Sequence, residues 1–133
     1  MGTSYSVDGF FSFKPNSKDV CLKELKEKFF TKDNVNFGFG NYTKYKSLRD
    51  VKDIGDAIKI VFADHQGNLC VSQDTELAYR FISAFDGSYG WEGVIYDFFK
   101  RISSHLQDVS SMLVWPESGC TKLSIKNGEW RIK

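Results

Sequence analysis

The side chains that could carry out chemistry are few and scattered. Two histidines, His65 and His105, and three cysteines, Cys21, Cys70 and Cys120, are the material for a nucleophilic or metal site. A Cys–His nucleophile pair would need Cys70 or Cys120 to meet a histidine, and no local spacing brings them together. His65 follows Asp64, the makings of a carboxylate-held base, but adjacent residues on a turn point apart. His105 falls late in a helical stretch, where a helix C-terminus favours a cation. Zinc asks for several His or Cys at short, fixed spacings, and none occurs. Asp86, Glu92 and Asp97 offer carboxylates, yet Asp86 reads as helix termination and the other two as an outer helix face. Gly-x-Ser-x-Gly, a phosphate-binding glycine loop, His-Glu-x-x-His and a calcium loop are all missing. The expectation is a protein without catalytic residues, metal or cofactor.

Binding chemistry is better represented. The run Asn36-Phe37-Gly38-Phe39-Gly40-Asn41-Tyr42 has the aromatic spacing with which some RNA-binding sheets stack bases. Lys44, Lys46, Arg49 and Lys52 follow it, and Asp50, Asp53 and Asp56 cancel most of their charge. Nonspecific nucleic-acid affinity comes from phosphate neutralisation, so Phe37, Phe39, Tyr42, Lys44, Lys46 and Arg49 form the second of two candidate sites. A core strand followed by a solvated loop accounts for the same residues. The first candidate is a protein-binding surface. Tyr89 and Trp91 stand among glycines in a break between helices, the place for a recognition loop. Lys122, Lys126 and Arg131, with Lys133 and against Glu129 alone, share the outer side of a C-terminal hairpin. Such cations keep an edge strand from pairing, and they also suit an acidic partner.

The elements that position these residues follow from periodicity. Residues 4–13 alternate, with Tyr5, Val7, Phe11 and Phe13 on one side and Ser4, Ser6, Asp8 and Ser12 on the other, which predicts a half-buried strand. Gly9 occupies the apolar side, where a missing side chain predicts close approach of another element. Phe10 interrupts the polar side, so part of that side is expected to be covered. Cys21, Leu22, Leu25 and Phe29 form the stripe of a helix over 17–30. Residues 33–42 alternate as a strand, and 43–56 read as a loop with a turn of helix. Ala57–Ala63 reads as a strand that the loop 64–68 returns to 69–72 as a hairpin. Asp74 then caps a helix with the stripe Leu77, Ala78, Phe81, Ile82 and Phe85. A longer helix carries Trp91, Val94, Ile95, Phe98, Ile102 and Leu106 inward. Met112–Trp115 is a strand stopped by Pro116, and Asn127-Gly128 turns the last hairpin, setting Ile125 opposite Trp130 and Lys126 beside Glu129.

This order predicts an α+β fold, one domain over 1–133, with a mainly antiparallel sheet of about five to six strands packed against about two to three helices. Hydrophobic residues at 41% and charged residues at 26% are ordinary globular usage. A net charge of +1 provides no global field for nucleic acid. The departure from average is aromatic: 12 Phe, 6 Tyr and 3 Trp. Phe10, Phe30, Tyr79, Tyr89, Tyr96 and Phe99 lie off the core stripes and are expected at an interface. No apolar run spans a bilayer and no secretory signal opens the chain. Three widely spaced cysteines among apolar neighbours predict buried free thiols in a cytoplasmic protein. A self-associating structural protein, a homodimer through an exposed strand edge or through the off-stripe aromatics, is a further expectation.

The last forty-odd residues have an aromatic-rich amphipathic helix, a strand entry at Ser110-Ser111 and the hairpin Ile125-Lys126-Asn127-Gly128-Glu129-Trp130. This third of the chain resembles small bacterial and phage α+β proteins of the immunity and inhibitor type. The resemblance implies a protein partner blocked by occlusion, and it transfers no functional residue.

Overall fold

In the computed structural model, which describes residues 3–30, 47–64, 66–87, 90–117 and 119–133, the first alternating segment is strand β1 (Thr3–Ser12). Helix α1 (Lys18–Glu24) follows and runs on as a π-helical turn, Leu25–Phe29, burying Cys21, Leu22, Leu25 and Phe29 as the stripe requires. The strand expected over 33–42 lies outside the described residues. A short 3₁₀ turn, Leu48–Asp50, precedes α2 (Ile54–Phe62).

Two elements differ in type from the sequence expectation. Residues 57–62 are helix, not strand. Asp53 caps α2 by accepting a hydrogen bond from the Asp56 amide (2.8 Å), while Asp56 accepts one from the Lys52 amide (2.9 Å). Ile54, Ala57, Ile58, Val61 and Phe62 are buried at helical spacing, and Ile60 is buried as well, which widens the apolar arc until Ile58, Ile60 and Phe62 alternate as a strand would. In turn, 78–87 is strand, not helix. Strands β2 (Cys70–Asp74) and β3 (Ala78–Gly87) form the hairpin, closed where Thr75 donates its amide to the Ala78 carbonyl (2.9 Å). Asp74 is therefore the end of a strand rather than a helix cap, and it pairs with Lys18 (3.4 Å).

Helix α3 (Trp91–Ile102) ends in a 3₁₀ turn, Ser103–His105, and strands β4 (Ser111–Trp115), β5 (Thr121–Lys126) and β6 (Glu129–Ile132) complete the chain. Asn127 and Gly128 both have positive φ, 54° and 78°, as a type I′ turn demands, and Ile125 faces Trp130 with Lys126 facing Glu129. Asp108 accepts hydrogen bonds from both turn amides, at 2.9 and 3.2 Å. The fold is α+β: among the described residues there is one antiparallel sheet of six strands, ordered β2-β3-β1-β4-β5-β6, with three helices.

The core lies between the inner sheet face and the helices. Tyr5, Val7, Phe11, Phe81, Met112, Val114, Leu123 and Ile125 supply the sheet side. Most of the aromatic surplus is consumed here, as Phe62 packs tilted on Phe81 (5.0 Å between centroids) and edge-on to Phe98 (5.5 Å), and Phe29 packs edge-on to Phe98 (5.5 Å). Phe30, Tyr79 and Phe99, expected at an interface, are buried in this network. Gly9 faces Phe81 across the β1–β3 ladder, and the ring fills the space its side chain would occupy.

Candidate functional site

The candidates read from sequence do not converge. Trp91 is only 6% exposed and its indole Nε1 donates to the Val61 carbonyl (2.9 Å), tying α3 to α2. It is a structural residue, because an indole with its N–H satisfied inside the core presents nothing to a partner. Tyr89, Phe37, Phe39, Tyr42, Lys44 and Lys46 lie outside the described residues. Arg49 is exposed on the 3₁₀ turn. Lys122, Lys126 and Arg131 are exposed on the outer sheet face as expected, with Arg131 Nη1 bonded to Glu129 (3.2 Å).

His65 lies outside the described residues, and the other histidine forms a strut. His105 Nε2 lies 2.6 Å from Glu24 Oε2, joining α1 to the end of α3. Beside the pair is a cavity of about 380 Å³ lined by Glu24, Phe29, Asp97, Lys100, Arg101 and Ser104. The thiol closest in sequence, Cys21, cannot serve as nucleophile. It is 1% exposed, and burial, reinforced by Glu24, pushes its pKa from 9.0 to about 12, so it stays protonated. Cys70 and Cys120 are exposed rather than buried. Cys70 opens the edge strand β2 and Cys120 immediately precedes β5, positions where a neighbouring apolar residue in sequence does not imply burial. Asp86 ends no helix: it lies on β3 and accepts a hydrogen bond from Ser4 Oγ (2.5 Å). Among the described residues no three His, Cys, Asp or Glu side chains gather as metal ligands.

The sheet's outer face is where exposed groups meet. Among the described residues the helices cover only the inner face. Directly across the strands run Cys70, Ile82, Asp8, Leu113 and Lys122 in one row. Gln73, Arg80, Phe10, Ser111, Ser124 and Arg131 make the next row, and Ala84, Ser6 and Trp115 the row on the other side. Ile82 is 57% exposed and Trp115 39%, while Phe10 and Leu113 are half-buried. Arg80 lies over the Phe10 ring, 5.0 Å from its centroid, a stacking that holds both side chains on the surface. Lys122, Lys126 and Arg131 form the β5–β6 border of this apolar patch. The sequence signal for it was Phe10, an aromatic on the polar side of β1; its partners Ile82 and Leu113 came from elements whose register the sequence did not reveal.

Compared with protein-family models, curated proteins and solved structures, the chain matches none. No helix among the described residues is long and apolar enough to cross a membrane.

Proposed function

We propose that this chain is a small non-catalytic protein-binding module that acts by occlusion, in the manner of an inhibitor or immunity protein of a bacterium or phage, and that the outer sheet face is its docking surface. The observation that carries the reading is the open patch of Phe10, Ile82, Leu113 and Trp115 on a sheet whose other face packs against the helices. A contiguous exposed apolar patch with a polar border is what a protein interface looks like before it is covered. Phe, Trp and Arg are also the residues that interfaces favour. A cytoplasmic setting agrees with two exposed free thiols, Cys70 and Cys120.

Nucleic-acid binding fits the face less well. Its cations, Arg80, Lys122, Lys126 and Arg131, are answered by Asp8, Asp86 and Glu129, and Asp8 sits in the middle. A phosphate backbone tracking across the sheet would meet that carboxylate. The test is affinity capture from host lysate with the wild type, Ile82→Ser, Trp115→Ala and Val20→Ser, the last an exposed apolar residue on α1. A stoichiometric protein should be retained by wild type and Val20→Ser and lost from the two face variants. Equal recovery by all four would refute the reading, as would binding of single-stranded DNA or RNA that falls steeply with salt. Sedimentation of the same variants at micromolar concentration separates a partner from a second copy of the chain.

A further inference from the structure

We infer that Asp8 is the anchor of this docking face, receiving the guanidinium or ammonium group of an Arg or Lys that the partner protein inserts among Phe10, Ile82, Leu113 and Trp115; the inference rests on the docking role proposed above. Asp8 belongs to the central strand and points outward, with Ile82 directly opposite on β3 and Leu113 directly opposite on β4. Phe10 is its neighbour two residues along, and Trp115 and Ala84 are diagonal to it. Asp8 is already half-buried, and its carboxylate has no ion-pair partner among the described residues. Of the described cations on this face, Arg80 lies over the Phe10 ring, and Lys122 is one strand further out, beyond Leu113.

A carboxylate in that position tolerates an uncovered face because water reaches it. When a partner covers the apolar residues, water leaves, and an ionised carboxylate without a compensating group becomes costly. A partner that presents only apolar groups is thereby rejected, while one that brings a cation gains a shielded, charge-assisted hydrogen bond. Hot spots have this form: a desolvated polar contact enclosed by apolar residues that exclude water. The border adds direction. Lys122, Lys126 and Arg131 all lie on the β5–β6 side, so the partner's acidic groups belong on that side of its inserted cation.

The experiment selects displayed random peptides on the immobilised full chain and measures the recovered clones against wild type, Asp8→Asn, Ile82→Ser and Ile82→Arg. Asp8→Asn keeps the shape and removes the charge. Ile82→Arg places a guanidinium directly opposite Asp8 within the chain itself, and it keeps the test informative should Asp8→Asn fold poorly. Recovered clones should contain an essential Lys or Arg, and Asp8→Asn and Ile82→Arg should each weaken them at least about tenfold. Clones that lose affinity for Ile82→Ser but bind Asp8→Asn as well as wild type would overturn the anchor and leave the docking face standing. Failure to recover any clone sensitive to Ile82→Ser overturns both. Tighter binding, self-association or oligonucleotide binding gained by Asp8→Asn would make Asp8 a repulsive guard, and that also overturns the anchor.

Discussion

Replacing Gly9 with alanine tests how tightly β1 is held between the core and the outer face. A Cβ on Gly9 would stand 2.5 Å from Cε1 and 2.8 Å from Cζ of Phe81, far inside contact distance. The ring cannot simply swing away, because it packs on Phe62 (5.0 Å), Phe11 (5.7 Å) and Tyr79 (6.0 Å). Removing a glycine stiffens the unfolded chain and by itself would stabilise by about 0.4–1 kcal/mol. Forcing an extra carbon into a packed core costs about 1–3 kcal/mol, so overpacking wins and the net loss is about 1–2 kcal/mol. For a chain of this length that lowers Tm by roughly 3–8 °C. Urea and thermal unfolding of Gly9→Ala, Phe81→Leu and the double variant should give a double variant at least about 1 kcal/mol more stable than additivity predicts. The substitution also pushes on the strand segment that carries Asp8 and Phe10, so partner binding should weaken with stability. A neutral or stabilising Gly9→Ala, or an equal cost in the Phe81→Leu background, would refute the close packing of ring on backbone.

Four further outcomes follow from other contacts. Cys70 and Cys120 should react with a thiol reagent rapidly and Cys21 only on unfolding, counted by mass spectrometry of the native and urea-treated chain. Folding raises the Cys21 thiol from 9.0 to about 12 through burial and Glu24, and the Tyr79 phenol from 10.0 to about 12 through burial, Asp74, Asp53 and Asp56. Both pKa values are raised, so their contribution is intact below the unfolded values and is lost as pH climbs from about 9 to about 12, where only the unfolded chain releases these protons. Tm should therefore fall across that window, and Cys21→Val should flatten its lower part. Trp91→Phe should cost about 1–2 kcal/mol by leaving the Val61 carbonyl without its donor, yet leave partner capture intact, because Trp91 is a strut rather than a contact. Asp108→Ala should cost about 1 kcal/mol in urea unfolding and speed hydrogen exchange of the Asn127 and Gly128 amides.

What could be read from residue types alone was set by whether each element buries one face or more. β1, α1, α3 and the Asn127-Gly128 hairpin each have one packed side and one open side, so their apolar residues recur at the spacing of the structure they form. The α+β class and the antiparallel character of the sheet followed from them. Helix α2 buries Ile58, Ile60 and Phe62 together with Ala57 and Val61, and alternation among β-branched residues then imitates a strand. The corrective signal was local: Asp53 and Asp56, three residues apart, sit where a helix needs its first amides capped.

β3 was disguised differently, and the disguise bears on function. Tyr79, Phe81 and Phe85 alternate inward as a strand should, but two positions break the pattern, a buried serine at 83 and an exposed isoleucine at 82. Counting Ile82 as core turns period two into a helical stripe. Phe10 is the same kind of exception on β1, and the register sets it diagonal to Ile82, with Asp8 directly opposite that isoleucine. Natural sequences break a local rule chiefly where something other than folding fixes the residue. Ser83 is such a break with no solvent-side consequence; its hydroxyl is buried without a hydrogen-bond partner among the described residues. Ile82 and Phe10 are breaks that face outward and adjoin, together with Leu113 and Trp115 from a strand distant in sequence. Folding alone would place polar residues at all four positions, since none of them is needed to fill the core. Their convergence around a carboxylate with no ion-pair partner among the described residues is therefore a part of the molecule that stability does not explain, and a part for which a partner has to be sought.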